Sequence, residues 1–248
     1  MAVVLITGAS SGIGAGLAAE LARRGHDIGL VARRADLLAE VAATVRAAGR
    51  RAVVAPADVT DRDALFAAVR SIEAELGPID VAVANAGMGY PTPAAKLDGL
   101  KVTAMMRLNF DAVVYTFEAV LPAMVARGGG QIVAISSIAS MVGLPSSGTY
   151  SASKAAVSTL MQSFGAELRP KGVAVTTVHP GFVETPLTAK NKHPMPFIWT
   201  CDRACRVIAD GIERRRVLVS FPWQLTTVLG IVRLLPASWA EAALRYAR

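Results

Sequence analysis

The sequence predicts an α/β fold, a single-domain Rossmann-type doubly wound parallel sheet of about seven strands with helices on both faces. Three observations lead there. Strand-length Val/Ile/Ala-rich runs alternate with helical patterns along the chain. Most of those runs are apolar on both faces, as strands buried between two helix layers are, rather than alternating with period 2. A glycine-rich turn joins the first run to the first helical pattern.

Val3–Thr7 opens the sheet, and Gly12–Arg24 leaves the glycine turn as the first helix. Asp27–Ala32 is the second strand, Ala35–Ala48 its helix and Ala52–Pro56 the third strand. Asp61–Leu76 follows as a helix that Thr60 or Asp61 can cap. Gly25, Gly49 and Gly77 sit just past these three helices, where a left-handed residue ends a helix most easily. Ile79–Ala84 is the fourth strand, Asp98–Arg127 a long helix, Gln131–Ser136 the fifth strand and Tyr150–Arg169 the next helix. Val173–His179, Asp202–Arg215 and Val217–Ser220 complete the alternation. The loosest segments, Gly89–Lys101 and Pro186–Thr200, both follow strands on the ligand side.

At 248 residues the chain has room for two domains, but single α/β sheets reach this size and no linker or repeat divides it. Residues 1–188 are expected to form the core, and residues 189–248 a substrate-loop and C-terminal segment of the same domain. An apolar fraction of 53% with 18% charged residues belongs to a chain that folds. The net charge of +7 suits a nucleic acid, an anionic membrane or a polyphosphate ligand, yet the arginines are scattered and no nucleic-acid partner is expected. Cys201 and Cys205 cannot make a disulfide framework, and their one-turn spacing without nearby His makes a poor metal site; packed thiols and no metal are expected. Val3–Thr7 enters the glycine turn with no basic leader, and no run of ~20 uncharged apolar residues is available to cross a bilayer. A cytoplasmic location is the expectation.

Thr7 to Gly14 reads T-G-A-S-S-G-I-G between strand and helix, so the amides around Ser10, Ser11, Gly12 and Ile13 and the positive end of the helix dipole face any bound pyrophosphate. Gly8 and Gly12 allow tight backbone paths, and Gly14 lets helix and strand approach. The second strand ends Ala32-Arg33-Arg34 with no acid where such folds meet the adenosine ribose. A carboxylate there would repel a 2′-phosphate, whereas Arg33 offers it a planar fork, so NADP(H) is the expected cofactor. Arg34 reads as a solvated start to the next helix.

Tyr150 and Lys154 stand four apart at the start of a helix and share one face. A free phenol has a pKa of about 10, too high to trade protons at neutral pH. A neighbouring ammonium, joined by oxidised nicotinamide when present, stabilises the phenolate. Ser137, at the end of the fifth strand, can hydrogen-bond the same substrate oxygen.

These residues belong to an ordered set: Thr7-Gly8-x-x-x-Gly12-x-Gly14, Asp58, Asn85-Ala86-Gly87, Asn109, Ser137, Tyr150-x-x-x-Lys154 and Pro180-Gly181. In them the chain resembles the short-chain dehydrogenase/reductase family over about residues 1–188. The resemblance implies a catalytic group of Asn109, Ser137, Tyr150 and Lys154, with Asn109 holding a water that links Lys154 to solvent. It implies that Asp58 and Val59 meet the adenine edge and that Asn85, Ala86 and Gly87 line the ribose path. Pro180, Gly181, Val183 and Thr185 would then shape the nicotinamide end. A homodimer or homotetramer packed through Asp98–Arg127 and Tyr150–Arg169 is implied as well.

Beyond Pro186 the match fades. Leu187, Met195, Phe197, Ile198 and Trp199 on one loop and Met88, Tyr90 and Leu97 on the other suit a large apolar carbonyl or alcohol substrate, such as a long-chain acyl, isoprenoid or steroid-like ketone. Closure of the core or of a subunit interface is the other reading. The tail from Phe221 carries an apolar stretch, with Arg214, Arg215 and Arg216 before it and Arg233, Arg245 and Arg248 within and after it. It reads as a peripheral membrane contact at the inner face, a lid over the substrate mouth, or subunit packing. The expected activity is interconversion of a carbonyl and a secondary alcohol. Reduction of 3-oxoacyl groups on an acidic carrier protein and NADP(H) sensing without turnover are the alternatives.

Overall fold

The computed structural model describes every residue except 192, 193, 247 and 248; Arg248 therefore lies outside the described residues. Seven strands form one all-parallel sheet: β1 (Val3–Thr7), β2 (Asp27–Ala32), β3 (Ala52–Pro56), β4 (Val81–Ala84), β5 (Gly130–Ile135), β6 (Val173–Pro180) and β7 (Leu218–Phe221). Their spatial order is β3-β2-β1-β4-β5-β6-β7. The direction of winding reverses between β1 and β4, which opens a crevice at the carboxyl ends of those strands.

Helices α1 (Gly12–Arg23), α2 (Ala35–Ala47) and α7 (Cys201–Glu213) bury Leu17, Leu38 and Ile208 on one face of the sheet. Helices α3 (Arg62–Leu76), α5 (Ala112–Ala126) and α6 (Gly148–Leu168) bury Ile72, Phe117 and Met161 on the other. This two-sided burial is why the strands read as continuous apolar runs. Asp61 caps α3 by accepting from the Ala64 amide, and Gly25, Gly49 and Gly77 all take positive φ as expected.

The expected helix over Asp98–Arg127 is three pieces. Asp98 caps α4 (Gly99–Met106), a π-helical turn follows at Arg107–Asp111, and α5 continues from Ala112. The whole run is long and apolar enough by length and composition to cross a membrane, yet it buries Val113, Phe117 and Met124 against the sheet and carries Arg107, Asp111 and Glu118. Strand β4 starts at Val81 rather than Ile79, because Asp80 turns its carboxylate back to accept from the Val3 amide. Strand β7 starts one residue later than expected and leaves Val217 exposed. The tail, unassigned from sequence, forms α8 (Trp223–Leu234) and α9 (Ala237–Tyr246).

A buried acid pins the edge where the strands begin. Asp27, almost fully buried at the start of β2, accepts from Arg50 Nη2 (2.6 Å), Arg51 Nε (2.8 Å) and the Arg51 amide (3.0 Å). Burial pushes its pKa upward, but these hydrogen bonds and charges outweigh burial and hold it below the usual carboxylate value. Asp27→Asn is expected to lose ~2 kcal/mol at neutral pH, since hydrogen bonds to a charged group are lost. A depressed carboxylate stabilises fully above its unfolded pKa of about 3.9 and loses that stabilisation as pH falls through the folded value. Urea unfolding of both proteins across this range should therefore show the gap closing in acid, and a gap independent of pH would reject the assignment.

Candidate active site

The crevice is a cavity of about 400 Å³ along the carboxyl edge of the sheet. Its closure starts at Thr7, whose buried hydroxyl accepts from the Asn85 amide (3.1 Å) and the Ala86 amide (3.3 Å). The Asn85 side-chain amide donates to the carbonyls of Thr7 (3.0 Å) and Gly8 (3.2 Å). These bonds draw the β1–α1 turn onto the loop after β4. A Cβ at Gly8 would lie 2.7 Å from Ala86 Cα, and one at Gly14 would strike the Gly8 carbonyl oxygen, so neither position accepts a side chain.

Of the residues expected at a dinucleotide, Gly8, Ser10, Ser11, Gly12, Ile13, Arg33, Asp58, Val59, Asn85, Ala86, Gly87, Pro180, Gly181, Val183 and Thr185 all line this cavity, as do Ser137, Tyr150 and Lys154. Gly14 and Asn109 do not. Gly14 is buried one layer behind the wall and serves the approach of α1 to the turn.

At the end expected to take adenosine, the backbone leaves β2 through buried Ala32 with no carboxylate. Arg33 is exposed and reaches within 3.8 Å of Asp58. Arg34 is the exposed residue that precedes α2, as expected, and it also donates from Nη2 to Ser10 Oγ (3.0 Å) and Ser11 Oγ (3.1 Å) and lines the cavity. Asp58 accepts from the Thr60 amide and hydroxyl; these bonds overcome desolvation and keep it ionised, with Arg33 and Arg107 adding to the effect.

The chemical end is built on α6. Tyr150 lies in its first turn, half-buried, with its ring against the backbone of Gly89. Lys154 follows one turn later and is buried, its Nζ 2.7 Å from the Ile135 carbonyl and 6.0 Å from the centre of the Tyr150 ring. Burial pushes the ammonium pKa down to about 8. It also pushes the Tyr150 phenol above its usual value, against the pull of the neighbouring Ser137 hydroxyl. Ser137 is fixed by the Ala139 amide, which donates to its Oγ (3.1 Å), and it faces the Pro180 carbonyl (3.4 Å).

Two supports, buried Ser136 and half-buried Ser158, were not found by sequence reasoning. Ser136 Oγ and Ser158 Oγ both donate to the Lys154 carbonyl (2.9 and 3.0 Å), and Ser158 also meets His179 Nε2 at 3.0 Å. Burial pushes His179 down to about 4, so it stays neutral at physiological pH. Ser158 stands one turn after Lys154 on α6 itself, whereas Ser136 follows β5 and His179 belongs to β6, so no local spacing marks the set. Thr188, likewise missed, donates to the Val183 carbonyl at 2.5 Å and braces the cavity wall at Thr185.

Asn109 sits in the π-helical turn, fully buried. Its Oδ1 accepts from the Met88 amide (2.8 Å), and its Nδ2 donates to the Met88 carbonyl (2.9 Å) and Ser153 Oγ (3.0 Å). The side chain braces the loop after β4 against α6.

A sequence model of short chain dehydrogenases matches residues 2–196. The chain belongs to the short-chain dehydrogenase family. It is therefore an oxidoreductase of a family that uses a nicotinamide cofactor. An uncharacterised oxidoreductase of Myxococcus xanthus is 42% identical over 98% of this chain and 96% of its own. A short-chain dehydrogenase of Sphingobium yanoikuyae solved with NADPH superposes with a TM-score of 0.82, 31% identity, and coverage of 96% and 97%. One from Mycobacterium paratuberculosis bound to NAD gives 0.82, 29%, 91% and 98%.

The apolar loop residues divide. Met88 and Leu187 line the cavity of this short-chain dehydrogenase, Leu187 at its exposed rim, while Leu97, Phe197 and Ile198 are exposed and do not line it. Trp199 is no substrate wall: it stacks on Phe221 with ring centres 4.7 Å apart and pairs with Val183. Gly14→Ala tests the closure of the turn. The added methyl must separate Gly14 from Gly8 and Asn85, an overpacking cost of ~1–3 kcal/mol. Lower thermal stability together with at least tenfold weaker dinucleotide binding by calorimetry is expected; unchanged binding would show that the turn yields freely.

Proposed function

We propose that this enzyme interconverts a carbonyl and a secondary alcohol with NADP(H), on a predominantly apolar substrate. The observation that carries the reading is the placement of Ser137, Tyr150 and Lys154 on the wall of one cavity whose far end presents Arg33 and Arg34 and no carboxylate after β2. The cavity suits the cofactor: the turn has no room for side chains at Gly8, the Arg34 fork stands on the Ser10 and Ser11 hydroxyls, and Arg33 lines the same end, an anion-binding donor set. Arg33 takes the adenosine 2′-phosphate, with Arg34 beside it. Asp58 and Val59 meet the adenine, Asn85 to Gly87 the ribose, and Pro180, Gly181, Val183 and Thr185 the nicotinamide end.

Bound NADP(H) supplies or accepts the hydride. Ser137 holds the substrate oxygen by a hydrogen bond, and Tyr150 gives that oxygen its proton during reduction or removes it during oxidation. The Lys154 ammonium lowers the cost of the phenolate left behind, and the Ile135 carbonyl keeps it aimed. Asn109 keeps Met88 and α6 in register, and we place the relay water between Lys154 and solvent in its neighbourhood. Met88 and Leu187 supply apolar surface next to the reacting centre.

The test is a titration with NADPH and NADH followed by nicotinamide fluorescence, combined with turnover on apolar ketones and on carrier-bound 3-oxoacyl groups. Arg33→Ala and Arg34→Ala should weaken NADPH binding at least tenfold and leave NADH binding nearly unchanged. Tyr150→Phe should lower kcat by ~10²-fold or more while both titrations stay intact. Equal affinity for the two nucleotides would remove the NADP(H) assignment, and turnover confined to carrier-bound groups would redirect the substrate class.

The pH profile is a separate expectation. Reduction needs Lys154 charged and Tyr150 protonated, and Lys154 loses its proton first, at about 8. The kcat/KM for ketone reduction should hold below that value and fall about tenfold per pH unit above it. A profile flat to pH 10 would show that the ammonium is not required.

A further inference from the structure

The exposed apolar surface of this molecule is concentrated at the mouth of the catalytic cleft. Because β7 runs parallel to its neighbours, α8 leaves the sheet from the same edge as the loops after β4 and β6. Its root is tied to the nicotinamide end: the Gly181 amide donates to the Phe221 carbonyl at 2.7 Å, and Pro222 packs on Gly181. Further along, Gly230 faces Met141, on the loop that follows Ser137.

Trp223, Val228, Ile231 and Leu234 are 73%, 55%, 57% and 86% exposed. At helical spacing they fall, with Gln224, Thr227 and Leu235, in an arc of about 140° that contains no charged residue. Trp239 on α9 is 66% exposed. A soluble surface has no use for two bare indoles and an uncharged stripe, whereas the headgroup boundary of a bilayer accommodates both. The same edge exposes Leu97 and Leu100 after β4 and Phe197 after β6.

Charge on this edge is favourable for anionic lipid. Arg233 is exposed without a carboxylate partner among the described residues, Lys96 precedes Leu97, Lys101 after Leu100 is paired with Asp98, and the whole chain carries +7. Arg214, Arg215 and Arg216, which the sequence set beside the tail, are at the opposite edge. They precede β7, and Arg215 shares a hollow with Met1, Asp80 and Gly130, where the strands begin.

We propose that the α8–α9 segment docks on an anionic bilayer surface, with the cleft mouth turned toward the lipid so that apolar substrate enters from the membrane. A second copy of the chain is the competing occupant. To cover residues on all three loops it would close the mouth that substrate must use, whereas a fluid bilayer covers them and supplies the substrate. The cargo part rests on the apolar-substrate reading above; the docking part does not, and it is measured without turnover.

The full-length enzyme, saturated with NADPH, is mixed with vesicles of phosphatidylcholine alone or with phosphatidylglycerol, with and without brominated acyl chains. Docking predicts co-sedimentation with the anionic vesicles, weaker at high salt, and quenching of tryptophan emission by the brominated chains. The double variant Ile231→Asp, Leu234→Asp should bind vesicles at least tenfold more weakly with NADPH affinity unchanged; should it fail to fold, quenching in the parent decides. No co-sedimentation and no quenching at low salt would overturn the proposal. So would a halved mass of the double variant by light scattering with vesicle binding intact, which would assign the stripe to a second copy. Docking without turnover of apolar ketones would leave the docking standing and remove the substrate reading alone.

Discussion

The close approach of the β1–α1 turn to the loop after β4 is the constraint on which the rest of the site depends. Parallel strands β1 and β4 diverge beyond their paired residues, and nothing in the sheet ladder holds the two loops together past Val83. Thr7 and Asn85 supply that connection, by hydrogen bonds between a hydroxyl and two amides in one direction and between a carboxamide and two carbonyls in the other. Each is an ordinary contact, but they lie in buried or half-buried surroundings where an unpaired group is costly, so the set forms together. Gly8 and Gly14 are its steric counterpart: the loops meet closely enough that a methyl on either would strike backbone.

A second constraint follows on the other side of the crevice. Lys154 is buried, and desolvation that lowers its affinity for a proton would leave it idle unless something favours the charged form. The Ile135 carbonyl does so at 2.7 Å, and the Lys154 backbone is itself held by Ser136 and Ser158, with neutral His179 behind them. Here α6 is anchored to β5 and β6 through polar contacts instead of through its apolar face alone. The anchoring sets where Tyr150, one turn earlier, presents its phenol. Asn109 does the equivalent for the loop after β4, since its amide spans Met88 and Ser153 from a turn widened to π geometry.

Elements with strong local signals were legible in the sequence. The strands are short apolar runs ended by turns, and the glycine turn and the Tyr150/Lys154 pair carry their geometry in their spacing; all seven strands form, with ends shifted by one or two residues at β4, β5, β6 and β7. What could not be read was set by partners distant in the chain. Strand β4 is shortened by Asp80 reaching Val3, 77 residues away. Arg34, though exposed, is tied to two serines in the first turn, and Trp199 is drawn from the substrate loop by Phe221. The π-helical turn at Asn109 has no readable periodicity of its own, because a single widened turn of five residues is too short to set one.

The two edges of the sheet divide the labour of the sequence. The edge where strands begin is closed by charge: Asp27 with Arg50 and Arg51, and Glu20 with Arg23 and Arg24, the latter reaching Asp210 and Glu213 on α7. Those contacts join α1 to α7 and fix the first three strands without using any group from the crevice. The edge where strands end is left short of such pairs and carries instead the glycine turn, the Ser137–Tyr150–Lys154 group and the exposed apolar helices of the tail. Parallel topology makes this separation possible, since it sends every strand's carboxyl end to one side. Residues that hold the fold and residues that meet ligands are thereby selected on opposite faces of the same molecule, and the tail can change its surface without disturbing the ion pairs that keep the sheet together.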